Sequence, residues 1–203
     1  MARNVLLLLL AITLLAASAS ASSINVVQNG GFTTGTFGTA WTTTTWSVAS
    51  LPGVTGAPTD TTFAASVACP TAGAACNNPT TGNTLSQTLS TVAGNTYVLT
   101  FYYDPGDHQG GDFGLTTELD VYWNGALVDT IDNVPADTWT QYTVGGLGAP
   151  TTSTSLEFTG RADESTLYLT DVTAISPEPA SLSLIGGGLL GMALAALRRR
   201  RKV

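Results

Sequence analysis

The stretch Thr96–Tyr103, TYVLTFYY, decides how this chain is expected to fold. Its large apolar side chains recur at every second position, namely at Tyr97, Leu99, Phe101 and Tyr103. Successive side chains of a β-strand point to opposite faces of the sheet, so this period of two predicts a strand with one face in a core. The stretch is also rich in the aromatic and β-branched residues that strands favour.

The same alternation returns at Leu119–Trp123, LDVYW, and continues through a turn. Asn124-Gly125 follows directly, and this dipeptide favours a two-residue hairpin turn into a second strand at Ala126–Ile131. Less regular patterns predict further strands at Trp41–Val48, Phe63–Val67, Thr138–Val144, Ser155–Thr159 and Thr166–Thr173, the last with a β-bulge near Thr170-Asp171. Without a helical period between these strands, the sequence predicts an all-β domain, a single antiparallel β-sandwich.

The start of the chain has the pattern of a secretory signal peptide. A single positive charge precedes the apolar run Val5–Leu15, and Ala19-Ser20-Ala21 offers the small residues that signal peptidase requires. An uncleaved membrane anchor is the alternative, but eleven apolar residues are fewer than the ~20 that span a bilayer. We therefore predict a signal peptide at 1–21 and an exported domain at 22–176.

The end of the chain has the pattern of a membrane span with a stop. The apolar run Leu182–Leu197 is followed at once by five cations, Arg198, Arg199, Arg200, Arg201 and Lys202. Sixteen helical residues cover roughly 24 Å, and snorkelling arginines can supply the rest of a ~30 Å hydrocarbon core. Cations beside a span stay cytoplasmic, so everything before Leu182 is expected outside. The tail at 177–203 thus predicts a transmembrane helix at 182–197 and a basic stop at 198–202.

Pro177-Glu178-Pro179 stands immediately before this run, and its prolines keep the segment extended and outside the following helix. The tripartite end resembles the PEP-CTERM sorting signal of Gram-negative bacteria that make exopolysaccharide. The resemblance covers Ser176–Val203 and implies that exosortase, a membrane protease and transpeptidase, processes the chain near Pro177, Glu178 and Pro179. It also implies an inner-membrane intermediate and a final place at the cell surface or in the extracellular matrix. An ordinary tail anchor is the alternative.

The charge of the exported part disfavours nucleic acid as a partner, and its residues contain no recognisable catalytic motif. Arg161 is its only basic residue, against thirteen acidic ones, so a nucleic-acid partner is not expected. His108 is the only histidine and has no recognisable Ser or Cys nucleophile motif nearby. No two carboxylates are singled out as a glycosidase pair. We expect a protein that is not an enzyme, with polysaccharide hydrolase as the weakest alternative.

Cys69 and Cys76 are the only two cysteines, and they lie in a stretch rich in Pro, Gly, Ala and Asn. Export places them in an oxidising compartment, where a local disulfide is the expected outcome. A metal pair is the alternative, although a structural zinc site would need more cysteine or histidine ligands than the chain offers.

Five short segments of the exported part look like the galactose-binding-like jelly rolls, a group that includes many carbohydrate-binding modules. They are Asn29-Gly30-Gly31-Phe32, Leu85-Ser86-Gln87-Thr88-Leu89, Gly94–Phe101, Val121–Gly125 and Leu169–Val172. Members of that group often hold a structural calcium through an acidic residue after the first segment and an aspartate in the last. Here Asp171 occupies the second position but Thr33 the first, so the resemblance supports calcium only in part.

A second acidic stretch could also suit calcium, the one cofactor that the sequence raises. Asp104, Asp107 and Asp112 lie in a Gly-rich loop, although without the regular spacing of a known calcium loop. A solvated loop is the alternative.

Sugar binding needs aromatic faces that point away from the core. By strand parity Tyr102 and Tyr122 point outward, and Arg161 has the same outward parity as Glu157. They would form one platform only if their strands are neighbours. The four tryptophans are expected to pack in the core or under loops. Two roles follow: a structural or adhesive component associated with extracellular polysaccharide or, as the alternative, a carbohydrate-binding module.

The sorting hypothesis predicts a loss of mass. In a host with an exosortase, the mature protein should lack Leu182–Val203, as mass spectrometry or an immunoblot would show. Replacing Pro177, Glu178 and Pro179 by alanine should leave export intact, because the signal peptide is unchanged, yet hold the full-length protein in the inner membrane. Mature wild-type protein that still carries Arg198–Lys202 would contradict the hypothesis.

Overall fold

The computed structural model describes residues 23–51, 57–58, 61–68, 83–106, 117–132, 134, 138–162, 166–176 and 188. Within them, Ile24–Ser176 belongs to one compact unit. The predicted signal peptide, the tail except Gly188, both cysteines, Asp107 and Asp112 lie outside the described residues. No helix in the described part is long and apolar enough to cross a membrane.

Ten strands in the described residues form two five-stranded antiparallel sheets. They are β1 (Thr42–Thr43), β2 (Ser47–Ser50), β3 (Phe63–Ala68), β4 (Thr84–Ser90), β5 (Thr96–Asp104), β6 (Thr117–Trp123), β7 (Ala126–Asp132), β8 (Thr140–Gly148), β9 (Ser153–Ala162) and β10 (Thr166–Ile175). The first sheet has the order β1-β4-β9-β6-β7 and the second β2-β3-β10-β5-β8. The predicted all-β antiparallel sandwich is confirmed.

Most strands lie where the sequence predicts them, with two exceptions. The segment Trp41–Val48 is not one strand, because β1 joins the first sheet and β2 the second. Strand β4 was not predicted, since its serines and threonines give it a weak apolar alternation. The predicted bulge is present: the register of β10 against β5 shifts between Thr170 and Thr173, and Asp171 has a φ of 50°.

The core lies between the two sheets and is built largely from aromatic and leucine side chains. The inward residues of β5, predicted from TYVLTFYY, are all buried. Phe158 of β9 meets Phe101 of β5 edge-on, with ring centroids 5.3 Å apart, so this contact joins the two sheets. Trp123 is buried as well, and its Nε1 donates a hydrogen bond to the Gly148 carbonyl at 2.7 Å.

The segment before β1 is fastened to β10 by backbone contacts. Val172 N donates to the Gly30 carbonyl at 3.1 Å, and Val26 N donates to the Ala174 carbonyl at 3.0 Å. The approach is so close that a Cβ at Gly30 would lie 1.9 Å from the Val172 carbonyl oxygen. Position 30 therefore requires glycine for steric reasons.

We predict that Gly30→Ala destabilises the unit Ile24–Ser176 by about 2 kcal/mol or more, because the new methyl group would push the segment off the β10 backbone. Urea unfolding of the domain measures the change. Gly145→Ala is the matched control: a Cβ there meets no atom within 4 Å, so the shift should stay within about 0.5 kcal/mol. Equal stability of the two variants would contradict the steric argument.

Candidate functional site

The outer face of β6 and β9 brings together polar residues that are distant in the sequence. The two strands are antiparallel neighbours, and three cross-strand pairs lie on this face: Tyr122 with Glu157, Asp120 with Thr159, and Glu118 with Arg161. The residues between them, such as Val121 and Phe158, point into the core. We call these six outward residues the Tyr122 platform.

A shallow groove of about 210 Å³ runs beside the aromatic ring of the platform. It is lined by Tyr122, Gly125, Ser155, Glu157 and Thr159. Gly125 belongs to the β6–β7 hairpin turn and has a φ of +78°, so no side chain closes that end. The groove is smaller than the roughly 300–1,000 Å³ clefts that enclose drug-sized ligands, so a ligand here would lie across the surface.

Asp120 fixes the position of Tyr122. The Tyr122 hydroxyl donates to Asp120 Oδ2 at 3.4 Å, and Thr130 Oγ1 of β7 donates to Asp120 Oδ1 at 2.6 Å. Asp120 is only 5% exposed, and both of its carboxylate oxygens accept hydrogen bonds. It therefore acts as a positioning residue, while the ring of Tyr122 and the carboxylate of Glu157 border the groove.

The platform has a negative potential. Partial burial raises the pKa of Glu118, the Asp120 and Asp132 charges raise it further, and the Arg161 guanidinium opposes them. Burial likewise raises the pKa of the Tyr122 phenol, followed by the charges of Asp120, Glu157 and Glu118. Because carboxylates that repel one another disfavour their own ionisation, a cation brought to this face would be stabilised.

Thr159 leaves an unsatisfied polar atom at the groove. Its side chain is 2% exposed, and Oγ1 has no hydrogen-bond partner among the described residues. A buried hydroxyl without a partner costs about 1–3 kcal/mol. Such unpaired groups are uncommon in folded proteins, so the Thr159 hydroxyl calls for an explanation, such as a bound water or ligand.

The structure places the three residues predicted to bind a ligand on two different sheets. Tyr122 and Arg161 lie on adjacent strands of one sheet, whereas Tyr102 lies on β5 of the other sheet. Tyr102 does point away from the main core, but it packs into a smaller cluster with Leu51, Ala57, Ala64, Trp139 and Tyr168. The Tyr122 platform and Tyr102 are thus on different faces of the sandwich.

Sequence reasoning missed the acidic half of the platform. Glu118 and Asp120 have the same parity as Tyr122, which was a usable signal within β6. Their importance depends on β9 as a neighbour, and no local pattern identifies that partner. Thr159 gave no sequence signal, because its hydroxyl matters only through the absence of a bonding partner.

The predicted calcium ligands are only partly within the described residues. Asp104 is buried and accepts a hydrogen bond from Gly106 N at 2.8 Å. Burial raises the pKa of Asp171, opposed by a hydrogen bond from Thr61 Oγ1 at 3.4 Å. Across the described part of the chain, no three His, Cys, Asp or Glu residues are grouped so as to hold a metal ion. Calcium binding stays a prediction.

Comparison with known proteins finds similarity at the level of the fold. No family model matches the chain, and no curated protein sequence matches it. Among solved structures, the carbohydrate-binding module TmCBM61 in complex with β-1,4-galactotriose is 16% identical, with a TM-score of 0.54 over 76% of this chain and 100% of that one. A putative sugar binding protein from Bacteroides thetaiotaomicron VPI-5482 is 13% identical, with a TM-score of 0.55 and the same coverage.

A third similar structure comes from a much larger protein. It is the enzymatically active domain of bacteriophage CBA120 tailspike protein 4, 17% identical with a TM-score of 0.50 over 76% of this chain and 22% of that one. At such identities the likeness shows the fold alone. The unit Ile24–Ser176 therefore has a β-sandwich fold similar to that of carbohydrate-binding modules, as the sequence resemblance implied.

The effect of the surrounding charges on the pKa of Tyr122 can be tested by titration. We predict that the Tyr122 phenol ionises above its ordinary pKa, because partial burial disfavours the phenolate and the neighbouring carboxylates repel it. Asp120→Asn removes one of those charges and should lower the Tyr122 pKa towards its ordinary value. Ultraviolet difference titration against Tyr122→Phe in each background measures the shift.

Asp129→Asn is the control for this titration. Asp129 pairs with the inward-facing Val121 and, after burial, raises the pKa of Tyr142. The control should therefore lower the Tyr142 pKa and leave that of Tyr122 unchanged. The same Tyr122 pKa before and after Asp120→Asn would mean that Asp120 does not control the ring.

Proposed function

We propose that the exported domain binds polysaccharide through the Tyr122 platform. The observation that carries this proposal is an aromatic ring held by Asp120 at the border of an open groove that Glu157 and Ser155 also line. A sugar ring offers an apolar face of C–H groups and a rim of hydroxyls. The first can stack on Tyr122, and the second can donate to Glu157 or exchange hydrogen bonds with Ser155.

The open shape of the groove suits a polymer. A chain lying across β6 and β9 could continue past the end of the groove at Gly125, where no side chain closes it. The similarity in fold to TmCBM61 and to a putative sugar binding protein supports the same function. The β6 backbone that carries Tyr122 pairs with β7 on one side and with β9 on the other, which supports the position of the ring.

Binding is better supported than hydrolysis. Glycosidases place two carboxyl groups on either side of the scissile bond. In the described groove, Glu157 is the only lining residue with a carboxylate, and Asp120 already accepts two hydrogen bonds. Among the described residues, the groove lining therefore offers no second carboxyl group to act with Glu157.

The proposal extends to the location of the protein. Export by the N-terminal signal and processing by exosortase at Pro177-Glu178-Pro179 would release the domain at the surface of a Gram-negative cell. A released domain that binds polysaccharide would be retained in the extracellular matrix by that contact. The structural or adhesive role expected from the sorting tail and carbohydrate binding would then be one function.

We predict that Tyr122→Ala weakens the binding of the exported domain to its polysaccharide at least tenfold, because stacking and groove shape are lost together. Affinity electrophoresis in gels that contain individual neutral and charged polysaccharides would measure this. Val92→Ala, at an apolar side chain that is 59% exposed, is the control and should bind like the wild type. Thermal unfolding verifies that each variant is folded.

Tyr168→Ala tests the opposite sheet, where Tyr168 packs beside Tyr102 and Trp139. A folded Tyr168→Ala variant that loses binding, together with a Tyr122→Ala variant that keeps it, would move the site to that face. A wild-type domain that binds none of a broad glycan array would overturn the carbohydrate-binding function and leave the structural role.

A further inference from the structure

We infer that the polysaccharide bound at the Tyr122 platform carries free amino groups, as in a de-N-acetylated amino-sugar polymer, and that an ammonium group of the sugar pairs with Glu157. The inference rests on the proposed function, because it names the class of glycan that the same groove would select. Its support comes from the charge balance of the face, the geometry at Glu157 and the unpaired hydroxyl of Thr159.

The charge balance of the outer face is strongly negative. Asp132 of β7 is the cross-strand partner of Glu118, which places it on the same face as the platform. Four carboxylates, on Glu118, Asp120, Asp132 and Glu157, thus share the face with the single guanidinium of Arg161. Arg161 is also the only basic residue of the whole exported part, so no other cation of the domain can balance this charge. A polyanionic glycan would be repelled, and a cationic one attracted.

Glu157 and Tyr122 provide two complementary contacts for an ammonium group. They are direct cross-strand partners, and both line the groove. A carboxylate forms charge-assisted hydrogen bonds with an ammonium group, and an aromatic face attracts a cation through its quadrupole. A neutral hydroxyl at the same position would form only the weaker, uncharged hydrogen bond.

Thr159 provides a third contact and is independent evidence that the groove takes a ligand. Its buried Oγ1 has no partner among the described residues, although the residue lines the groove. An ammonium group has three donors and no acceptor, so it can donate to Glu157 and to Thr159 together. The carboxylates then give the preference for positive charge, and Thr159 helps to fix the position.

The burial of Glu118 adds to the selectivity. Its pKa is already raised by burial and by the neighbouring Asp120, which means that its negative charge is poorly compensated in the free protein. An anionic sugar laid over β6 would increase this cost, whereas a bound ammonium group would reduce it. Uronic-acid and sulfated polymers are therefore the disfavoured classes.

The test compares three oligosaccharides of equal length: glucosamine oligomers, their fully N-acetylated counterparts and galacturonate oligomers. Titration calorimetry at about pH 5.5 keeps the sugar amines protonated and lies above the ordinary carboxylate pKa values of ~4. We expect the glucosamine oligomer to bind at least tenfold more tightly than the acetylated one at low salt. The galacturonate oligomer should not bind measurably.

Two charge variants locate the preference. Glu157→Gln keeps the shape and a hydrogen-bond acceptor but removes the charge, so the preference for the free amine should fall at least fivefold. Asp129→Asn removes one negative charge from the other side of the sheet and should leave the preference unchanged, since Asp129 pairs with the inward Val121. A preference that falls equally in both variants would show general attraction to an acidic protein and would overturn the inference.

The outcomes separate the inference from the function it rests on. Neutral oligomers that bind as tightly as the amine, with binding lost in Tyr122→Ala, would overturn the amino-sugar inference and keep the carbohydrate-binding function. Preferential binding of galacturonate would have the same effect. If Tyr122→Ala weakens the binding of none of the oligosaccharides, the amino-sugar inference and the proposed binding function of the Tyr122 platform are both overturned.

Discussion

The antiparallel pairing of β6 with β9 places the six residues of the Tyr122 platform and the core residues of both strands. Alternate residues of each strand point to opposite sides, so one register sends Val121 and Phe158 inward and Tyr122 and Glu157 outward. A shift of the strand register by a single residue would turn the inward side chains outward and the outward ones inward. The inward set opposes such a slip, because Phe158 is held between Phe101 of the facing sheet and Trp41. The apolar core therefore holds the polar site in register.

The site itself is stabilised through its positioning contacts and strained through its charges. Asp120 accepts hydrogen bonds from Tyr122 and Thr130, which joins β6 to its hairpin partner β7 on the outer face. The pKa of Glu118 shows a cost in the opposite direction, since burial and then the charges of Asp120 and Asp132 raise it against the Arg161 guanidinium. Functional sites commonly keep such local costs, and here the hydrophobic core can offset them.

The sequence predicted the strands far better than it predicted their neighbours. A period of two identifies TYVLTFYY and LDVYW as strands with one buried face, and Asn124-Gly125 identifies the β6–β7 hairpin, because these signals are local. The partnership of β6 with β9 joins residues 33 to 45 positions apart, which no local pattern encodes. For the same reason Tyr122 could be predicted to point outward, while its contact with Glu157 and its separation from Tyr102 could not. The division of Trp41–Val48 between two sheets likewise depends on partners that the sequence does not reveal.

The first and last parts of the domain meet at β10, where Asn25 forms a bridge with Ile175. Strand β10 is the middle strand of its sheet, with β3 on one side and β5 on the other. A pulling force applied at Ser176 would thus enter the sheet at its centre and spread over two ladders of backbone hydrogen bonds. An edge strand in that position would resist through one ladder only and could peel away bond by bond. The last strand of the described unit should therefore resist detachment from its sheet more strongly than either edge strand, β2 or β8.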